Sequence, residues 1–329
     1  MYQFLKNLST NQQIGAMFVL VFGLLLLTSI AVFLLSLREL DDSPRAQRRR
    51  SDLNNLEGLL RTSWLIMLVF WVGWLAGAWV ALTLFGLVSF FALREFMTLS
   101  PTRRGDHRSL VLAFFVVLPT QYALIDNHLI NLFTVFIPVY VFLAIPVVSA
   151  LANDPLRFLE RNAKLQWGIM VCIYGMSHVP ALLLLNFPHY GRKNAFLVFF
   201  LVLVVQSSMI AQHLASRRLQ KAPAAPDISQ SFNWPSWWIG ITAGSLLGAL
   251  LAGITPFVPG QAFALSFIAC AAGSFGHLLM KALKRDLGIP IWRGQGSAVT
   301  GASGLLDRVD ALCFAAPVFF HSVRWYFGL

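Results

Sequence analysis

The chain has 329 residues, of which 57% are hydrophobic and only 12% are charged. A soluble domain carries about 25% charged residues, so this composition excludes an ordinary soluble enzyme. Apolar runs of about twenty residues, each long enough to cross a bilayer, recur along the chain. The net charge of +11 would suit nucleic-acid binding, but the basic residues fall between the apolar runs, where they orient membrane spans. We therefore predict an all-α polytopic membrane protein that does not bind nucleic acid.

The apolar runs predict about ten transmembrane helices. The second and third predicted spans come from one continuous apolar stretch, which is too long for one span and barely long enough for two. The predicted spans are residues 14–37, 63–78, 79–93, 109–124, 129–149, 166–186, 194–214, 237–256, 261–283 and 310–327. The first has an apolar core too long for a signal peptide and no small-residue cleavage site after it. Residues 1–62 are thus expected to add a transmembrane helix and a basic cytoplasmic linker to a membrane domain of residues 63–329.

The distribution of Lys and Arg orients the predicted spans, because cytoplasmic loops of membrane proteins are rich in basic residues. With the N-terminus outside, five cytoplasmic segments hold all but four of the 25 basic residues. These segments are residues 38–62, 94–108, 150–165, 215–236 and 281–309, with 6, 4, 3, 3 and 5 basic residues. We expect a bacterial inner-membrane protein with both termini outside and with the charged C-terminal region in the cytoplasm.

Residues 273–310 bring many ionisable residues to a membrane boundary. Basic residues end the ninth predicted span, and two carboxylates flank an arginine at the start of the tenth. They are Lys281, Lys284, Arg285, Asp307, Arg308 and Asp310. Charges near hydrocarbon are costly without a partner. Basic side chains beside paired carboxylates suit phosphate groups held by Lys and Arg, with a divalent metal held by Asp. The alternative is a local salt-bridged cap on the last span.

The motifs KRDLGI, GLLDRVD and APVFF resemble the C-terminal signature of the phosphatidate cytidylyltransferases. In that family a K-R pair is followed by G-H-G-G-x-x-D-R-x-D. Lys284 and Arg285 match the K-R pair, and residues 307–310 match D-R-x-D. Gly301 and Gly304 match the outer glycines of G-H-G-G. The resemblance is specific at the C-terminal end of the chain and looser upstream.

The resemblance implies transfer of a cytidylyl group from CTP to phosphatidic acid, or a related anionic membrane lipid, with release of pyrophosphate. It implies catalytic roles for the K-R pair and for D-R-x-D, with Mg²⁺ held by Asp307 and Asp310. Further substrate-binding candidates lie in the seventh span, in the ninth span and in the loop before the tenth. They are Ser207, Ser208, His277, Lys281, Gly301, Ser303 and Gly304.

This chain departs from the family pattern at several acidic positions. Ser207 and Ser208 stand where the family has an acidic residue, and His277 stands where it has an aspartate. The lysine-aspartate pair that follows K-R is also missing. A metal-bound carboxylate supports several kcal/mol of transition-state stabilisation, so the loss of several carboxylates would impair catalysis. The first alternative is therefore an inactive family member that binds phospholipid or nucleotide and supports a partner enzyme. Small residues in the eighth and ninth spans also leave a homodimer open.

An anionic-lipid transporter is the second alternative, because His178 and His277 fall within predicted spans and intramembrane histidines are often functional. His178 is otherwise interpreted as a neutral imidazole hydrogen-bonded to a neighbouring helix. The cysteines Cys172, Cys270 and Cys313 lie in apolar runs and are expected to be small core residues. The segment DPLRFLERNAKL predicts a short interfacial helix that Asp154 caps.

Overall fold

The structure is a computed structural model that describes residues 10–36, 64, 67–68, 71–72, 77–187, 190, 194–289 and 304–329. The chain divides into two compact units, residues 3–81 and residues 82–329. The described residues are overwhelmingly helical and contain no β-strand. This confirms the predicted all-α class.

Nine helices make up most of the described residues. In chain order they are α1 (Thr10–Ser36), α2 (Ala78–Leu99), α3 (Arg104–Asp126), α4 (Ile130–Ala150), α5 (Phe158–Leu184), α6 (Ala195–Leu219), α7 (Trp234–Ile254), α8 (Pro259–Asp286) and α9 (Leu306–Phe327). Seven of them, α2 to α8, are long and apolar enough to cross a membrane. The protein is therefore a polytopic integral membrane protein, as predicted.

The predicted spans coincide with these helices except at the ends. The predicted span 63–78 lies largely outside the described residues. The helix α2 continues to Leu99, beyond the predicted end at residue 93. The helix α8 ends at Asp286, and α9 begins at Leu306 rather than at residue 310. The charged residues predicted for the connecting loop therefore lie in the last turns of α8 and the first turns of α9.

The predicted short interfacial helix at residues 154–165 is wrong. The structure has one long helix, α5, which begins at Phe158 and runs to Leu184. Asp154 binds Arg161 through Oδ2 and Nη1 at 2.6 Å and Arg103 through Oδ2 and Nε at 3.2 Å. The side chain of Arg161 is only 6% exposed, and a buried guanidinium needs carboxylate partners. Asp154 therefore pairs with this arginine instead of capping a separate helix.

Glycines let α7 pack closely against α6 and α8. A methyl group on Gly244 would approach Cys270 Sγ to 2.7 Å and Ser208 Cβ to 2.9 Å. One turn later, a methyl group on Gly248 would overlap the side chain of Ser266. Helices in a bilayer approach this closely only at small residues. The small side chains of Ser266 and Cys270 on α8 therefore face α7.

The close packing of α8 against α9 also depends on glycines, and it sets the position of the candidate site. A side chain at Gly276 of α8 would collide with the ring of Phe314 on α9. Gly273, one turn earlier, lies against the backbone carbonyl of Ala311. Cys172, Cys270 and Cys313 are free and buried, as expected of core residues.

Candidate active site at the facing ends of α8 and α9

One ion pair and one hydrogen-bonded histidine–aspartate pair join the C-terminal end of α8 to the N-terminal end of α9. Lys284 Nζ contacts Asp307 Oδ1, and His277 Nδ1 lies 2.6 Å from Asp310 Oδ2. The residues of each helix that make these contacts are three or seven positions apart, which places them on one face of their helix. The structure thus brings together four candidates from the two separate motifs of the sequence.

In each of these two contacts one side chain is nearly buried. The side chain of Asp310 is 4% exposed and that of Lys284 is 10% exposed. The second oxygen of Asp310, Oδ1, accepts the N–H of Ala311 at 2.6 Å. Removing one partner of such a pair leaves an uncompensated buried charge. These residues therefore hold a stable charge arrangement that an incoming anion or cation would have to rearrange.

Lys281 has a different environment from Lys284. Its Nζ donates hydrogen bonds to Ser229 Oγ at 3.2 Å and Ser231 Oγ at 3.3 Å. Both serines belong to the connection between α6 and α7. The carboxylates of Asp307 and Asp310 act on Lys281 only through longer-range electrostatics. Because hydroxyl groups do not neutralise its charge, this ammonium keeps the greatest capacity to attract a phosphate.

Glu95 is a site residue that sequence reasoning missed. It lies near the end of α2 and is fully buried. Its Oε1 accepts the N–H of Gly304 at 3.0 Å, and its Oε2 accepts the N–H of Leu305 at 2.9 Å. The available signal was an acidic residue inside the apolar run FALREFMTL, since acidic residues at membrane depth are expensive and usually have a specific partner. Glu95 adds a carboxylate to a region in which several acidic residues of the family pattern are replaced.

The serines of the seventh predicted span lie in a helix contact. Ser208 is buried where α6 meets α7, beside Gly240 and Gly244, and Ser207 is half-buried. The polar link between α6 and α8 is instead made one turn later, where Ser274 Oγ donates to Gln212 Oε1 at 2.6 Å. This link lies one turn before His277 on α8.

The remaining site candidates differ in their surroundings. Arg285 is exposed and Arg308 is half-buried. Gly304 has φ +78°, in the left-handed region that favours glycine, and its N–H points to Glu95. The predicted residues Gly301 and Ser303 lie outside the described residues.

His178 is part of an aromatic cluster. It is fully buried on α5, and its Nδ1–H donates to the carbonyl of Tyr174 at 2.7 Å. Its ring packs against those of Phe133 and Phe320, with centroids 4.7 and 5.2 Å away. This geometry matches the interpretation of a neutral imidazole within helix packing.

The His, Cys, Asp and Glu side chains of the site determine whether it can hold a metal ion. Within the described ranges, no three His, Cys, Asp or Glu residues form a group that could hold a metal ion. Mg²⁺ needs fewer protein ligands, because it commonly takes one or two carboxylates together with substrate phosphates and water. Asp307 and Asp310 supply ligands of this kind, and they lie one turn apart on α9. Lys284 and His277 now contact them, so metal binding requires these side chains to move aside.

The fold and the site together define an integral membrane protein whose polar site lies at the ends of two adjacent helices. Its sequence matches the model of the cytidylyltransferase family over residues 59–326. The chain belongs to this family.

Individual relatives agree with this assignment. The chain is 32% identical over 270 residues to Uncharacterized protein YnbB of Escherichia coli (strain K12), covering 81% of this chain and 86% of the relative. It is 31% identical over 174 residues to a phosphatidate cytidylyltransferase of Mycobacterium leprae (strain TN), covering 52% of each chain. It is also 27% identical over 220 residues to a phosphatidate cytidylyltransferase of Helicobacter pylori (strain ATCC 700392 / 26695), covering 63% of this chain and 80% of the relative.

Proposed function

We propose that this protein is a phosphatidate cytidylyltransferase, which joins the phosphate of phosphatidic acid, or of a related anionic lipid, to the cytidylyl group of CTP. The observation that carries the proposal is that a lysine–aspartate ion pair and a histidine–aspartate hydrogen bond between α8 and α9 lie beside the hydroxyl-bound Lys281. Family membership and the named relatives support the same reaction.

The reaction joins two anions, so the protein must offset their charge. A phosphate oxygen of the lipid attacks the α-phosphorus of CTP and forms the new P–O bond. The bond between that phosphorus and the oxygen bridging to the β-phosphorus breaks, and pyrophosphate leaves with its electron pair. Such transfers depend mainly on positioning and electrostatic stabilisation. Lys281, Lys284, Arg285 and Arg308 are the side chains that we assign to phosphate binding.

Asp307 and Asp310 are the residues that we assign to a Mg²⁺ ion. When bound, this ion would neutralise charge on the phosphate oxygens of the substrates. The side chains of Lys284 and His277 would exchange their contacts with the carboxylates for contacts with substrate oxygens. Glu95 would keep the first turn of α9, and with it both aspartates, in position.

We further propose that the site faces the cytoplasm from a bacterial inner membrane, with both termini outside. The support is the enrichment of Lys and Arg in the connections on the side of the site. This orientation would give the site access to CTP.

The test is formation of CDP-lipid by the purified protein in detergent with CTP, phosphatidic acid and Mg²⁺. Mass spectrometry of the lipid and a pyrophosphate assay should find the two products in equal amounts. Omission of either substrate, or chelation of the metal, should stop both. Absence of product under conditions where the Mycobacterium leprae relative is active would contradict the proposal.

The second candidate is a family member that binds lipid or nucleotide without catalysis and supports a partner lipid enzyme or acts as a homodimer. The observation that favours it is that His277 and Lys284 already pair with both aspartates. Saturable binding of CTP or phosphatidic acid, without any CDP-lipid or pyrophosphate, would support this candidate over the first.

A further inference from the structure

A basic surface pocket lies at the start of α3, away in sequence from the residues of the proposed reaction. It has a volume of about 380 Å³. Its lining residues are Thr102, Arg103, Arg104, His107 and Leu110. A third exposed arginine, Arg108, follows directly on the same helix.

The acidic residues near this pocket are already committed to other partners. Asp106 is buried and accepts the backbone N–H of Arg103 at 2.8 Å, and its Oδ1 faces Arg161 Nε at 3.5 Å. Asp154 pairs with both Arg161 and Arg103. Asp154 therefore neutralises Arg103, whereas no carboxylate of the described residues pairs with Arg104 or Arg108.

Arg104, His107 and Arg108 have exposed side chains. Within the described part of the chain, these side chains make no hydrogen bond or ion pair. Arginines that only orient a span need no shared binding surface, whereas Arg104 and His107 line one pocket and Arg108 follows one turn after Arg104 on the same helix. Guanidinium groups in this arrangement suit the oxygens of a phosphate, which they can bind in a bidentate manner.

An exposed apolar strip continues from the basic pocket along α3 toward the membrane interior. Val111 lies three residues after Arg108 and four after His107, so it shares their side of the helix. Its exposed fraction is 43%, and that of Phe115, one turn further, is 69%. The surface is thus polar and positive at one end and apolar along the next two turns.

We propose that this surface binds an anionic phospholipid as a bound, non-reacting lipid. Its headgroup phosphate lies against Arg104, His107 and Arg108, and its acyl chains lie along Val111 and Phe115. Charge complementarity selects an anionic over a zwitterionic lipid. This site uses none of the residues of the proposed reaction, so it stands whether or not the protein transfers a cytidylyl group.

The experiment is native mass spectrometry of the full chain in detergent, titrated with phosphatidylglycerol or with phosphatidylcholine of the same acyl chains. All variants carry Lys284→Gln and Arg285→Gln, which weakens lipid binding at the proposed active site. The test variant adds Arg104→Gln and Arg108→Gln. The matched control adds Arg218→Gln and Lys221→Gln, two exposed basic residues at the end of α6. Thermal unfolding of each variant verifies that it is folded.

A basic residue near an anionic headgroup contributes about fivefold in affinity, so the test variant should bind phosphatidylglycerol about 25-fold more weakly. The control should bind it as the parent does, and phosphatidylcholine should bind weakly throughout. Phe115→Ala should also weaken phosphatidylglycerol binding, although it removes no charge. A loss below fivefold, an equal loss in the control, or displacement of the lipid by millimolar inorganic phosphate alone would overturn the proposal.

Discussion

Glu95 on α2 holds Gly304, which lies 209 residues later in the chain, through a hydrogen bond of 3.0 Å from the Gly304 N–H to Oε1. Its second oxygen accepts the N–H of Leu305. These two N–H groups immediately precede α9, where a helix start leaves donors without partners and favours an anion. Glu95 therefore anchors the helix that carries Asp307 and Asp310, and it acts as a positioning residue.

Replacement of Glu95 by Gln should destabilise the protein. The amide keeps one acceptor oxygen but presents an NH₂ group where the second oxygen was, so one buried N–H loses its partner. The expected loss is about 1–3 kcal/mol in the free energy of unfolding, measured by thermal unfolding in detergent. Glu160→Gln is the control, because Glu160 is a half-exposed member of surface ion pairs, and its replacement should change stability little. Equal effects of the two changes would contradict the anchoring role.

Replacement of Lys284 by Gln should impair the proposed reaction more than it impairs folding. The change removes a charge that we assign to substrate phosphates and leaves Asp307 without its ammonium partner. We expect kcat/KM for CTP to fall about 100-fold, about 2.7 kcal/mol of transition-state stabilisation. Lys284→Arg should retain more activity than Lys284→Gln, because it preserves the charge. Lys221→Gln, at an exposed lysine, is the matched control. A parent-like rate for Lys284→Gln would contradict the role of Lys284 in the site.

Replacement of Gly276 by Ala should push α8 and α9 apart. The new methyl group would overlap the ring of Phe314, and overpacking of this kind costs about 1–3 kcal/mol. The unfolding temperature and the rate of the proposed reaction should both fall, because the ion pairs of the site bridge these two helices. Gly260→Ala, also on α8, places its methyl group where no other atom lies within 4 Å and should be neutral. Tolerance of both changes would show that the two helices are not closely packed.

The pH dependence of stability should report the pair of Asp154 and Arg161. The hydrogen bond from the Arg161 guanidinium, with the nearby charge of Arg103, holds the pKa of Asp154 below its usual value. A carboxyl group with a lowered folded-state pKa stabilises the protein above its unfolded pKa of about 3.9, and this contribution is lost as pH falls through the folded pKa. The unfolding temperatures of the parent and of Asp154→Asn should therefore differ at about pH 6, and the difference should shrink as the pH falls below about 3.9. A difference that stays constant over this range, or that also appears for exposed Asp227→Asn, would contradict the prediction.

Much of the fold could be predicted from the sequence, because a bilayer requires long apolar helices whose backbone groups are satisfied internally. The helices α3 to α8 each match a predicted span, and apart from the separate interfacial helix predicted at residues 154–165 the errors lie at helix ends. The predicted ends are wrong where polar residues continue a helix beyond the hydrocarbon. Lys284 and Asp307 belong to helical turns for this reason, although their charge placed them in a predicted loop.

The pairing of the site residues could be predicted only in part. His277 and Lys281 were expected to share a helical face, and they do. The contact between His277 and Asp310 depends on how α8 packs against α9, which the sequence does not specify. Glu95 escaped notice because its partners are backbone N–H groups far along the chain. Backbone donors carry no sequence signature.

The most direct measurement is the rate at which α-³²P-labelled CTP is converted to CDP-lipid by the parent, by Asp310→Asn and by Asp227→Asn. Asp310 lies in the buried pair with His277, whereas Asp227 is exposed in the connection between α6 and α7. The account predicts product from the parent and from Asp227→Asn, with a rate at least about 100-fold lower for Asp310→Asn. Equal rates for all three proteins would place the chemistry elsewhere, and no product from the folded parent would contradict the proposed activity.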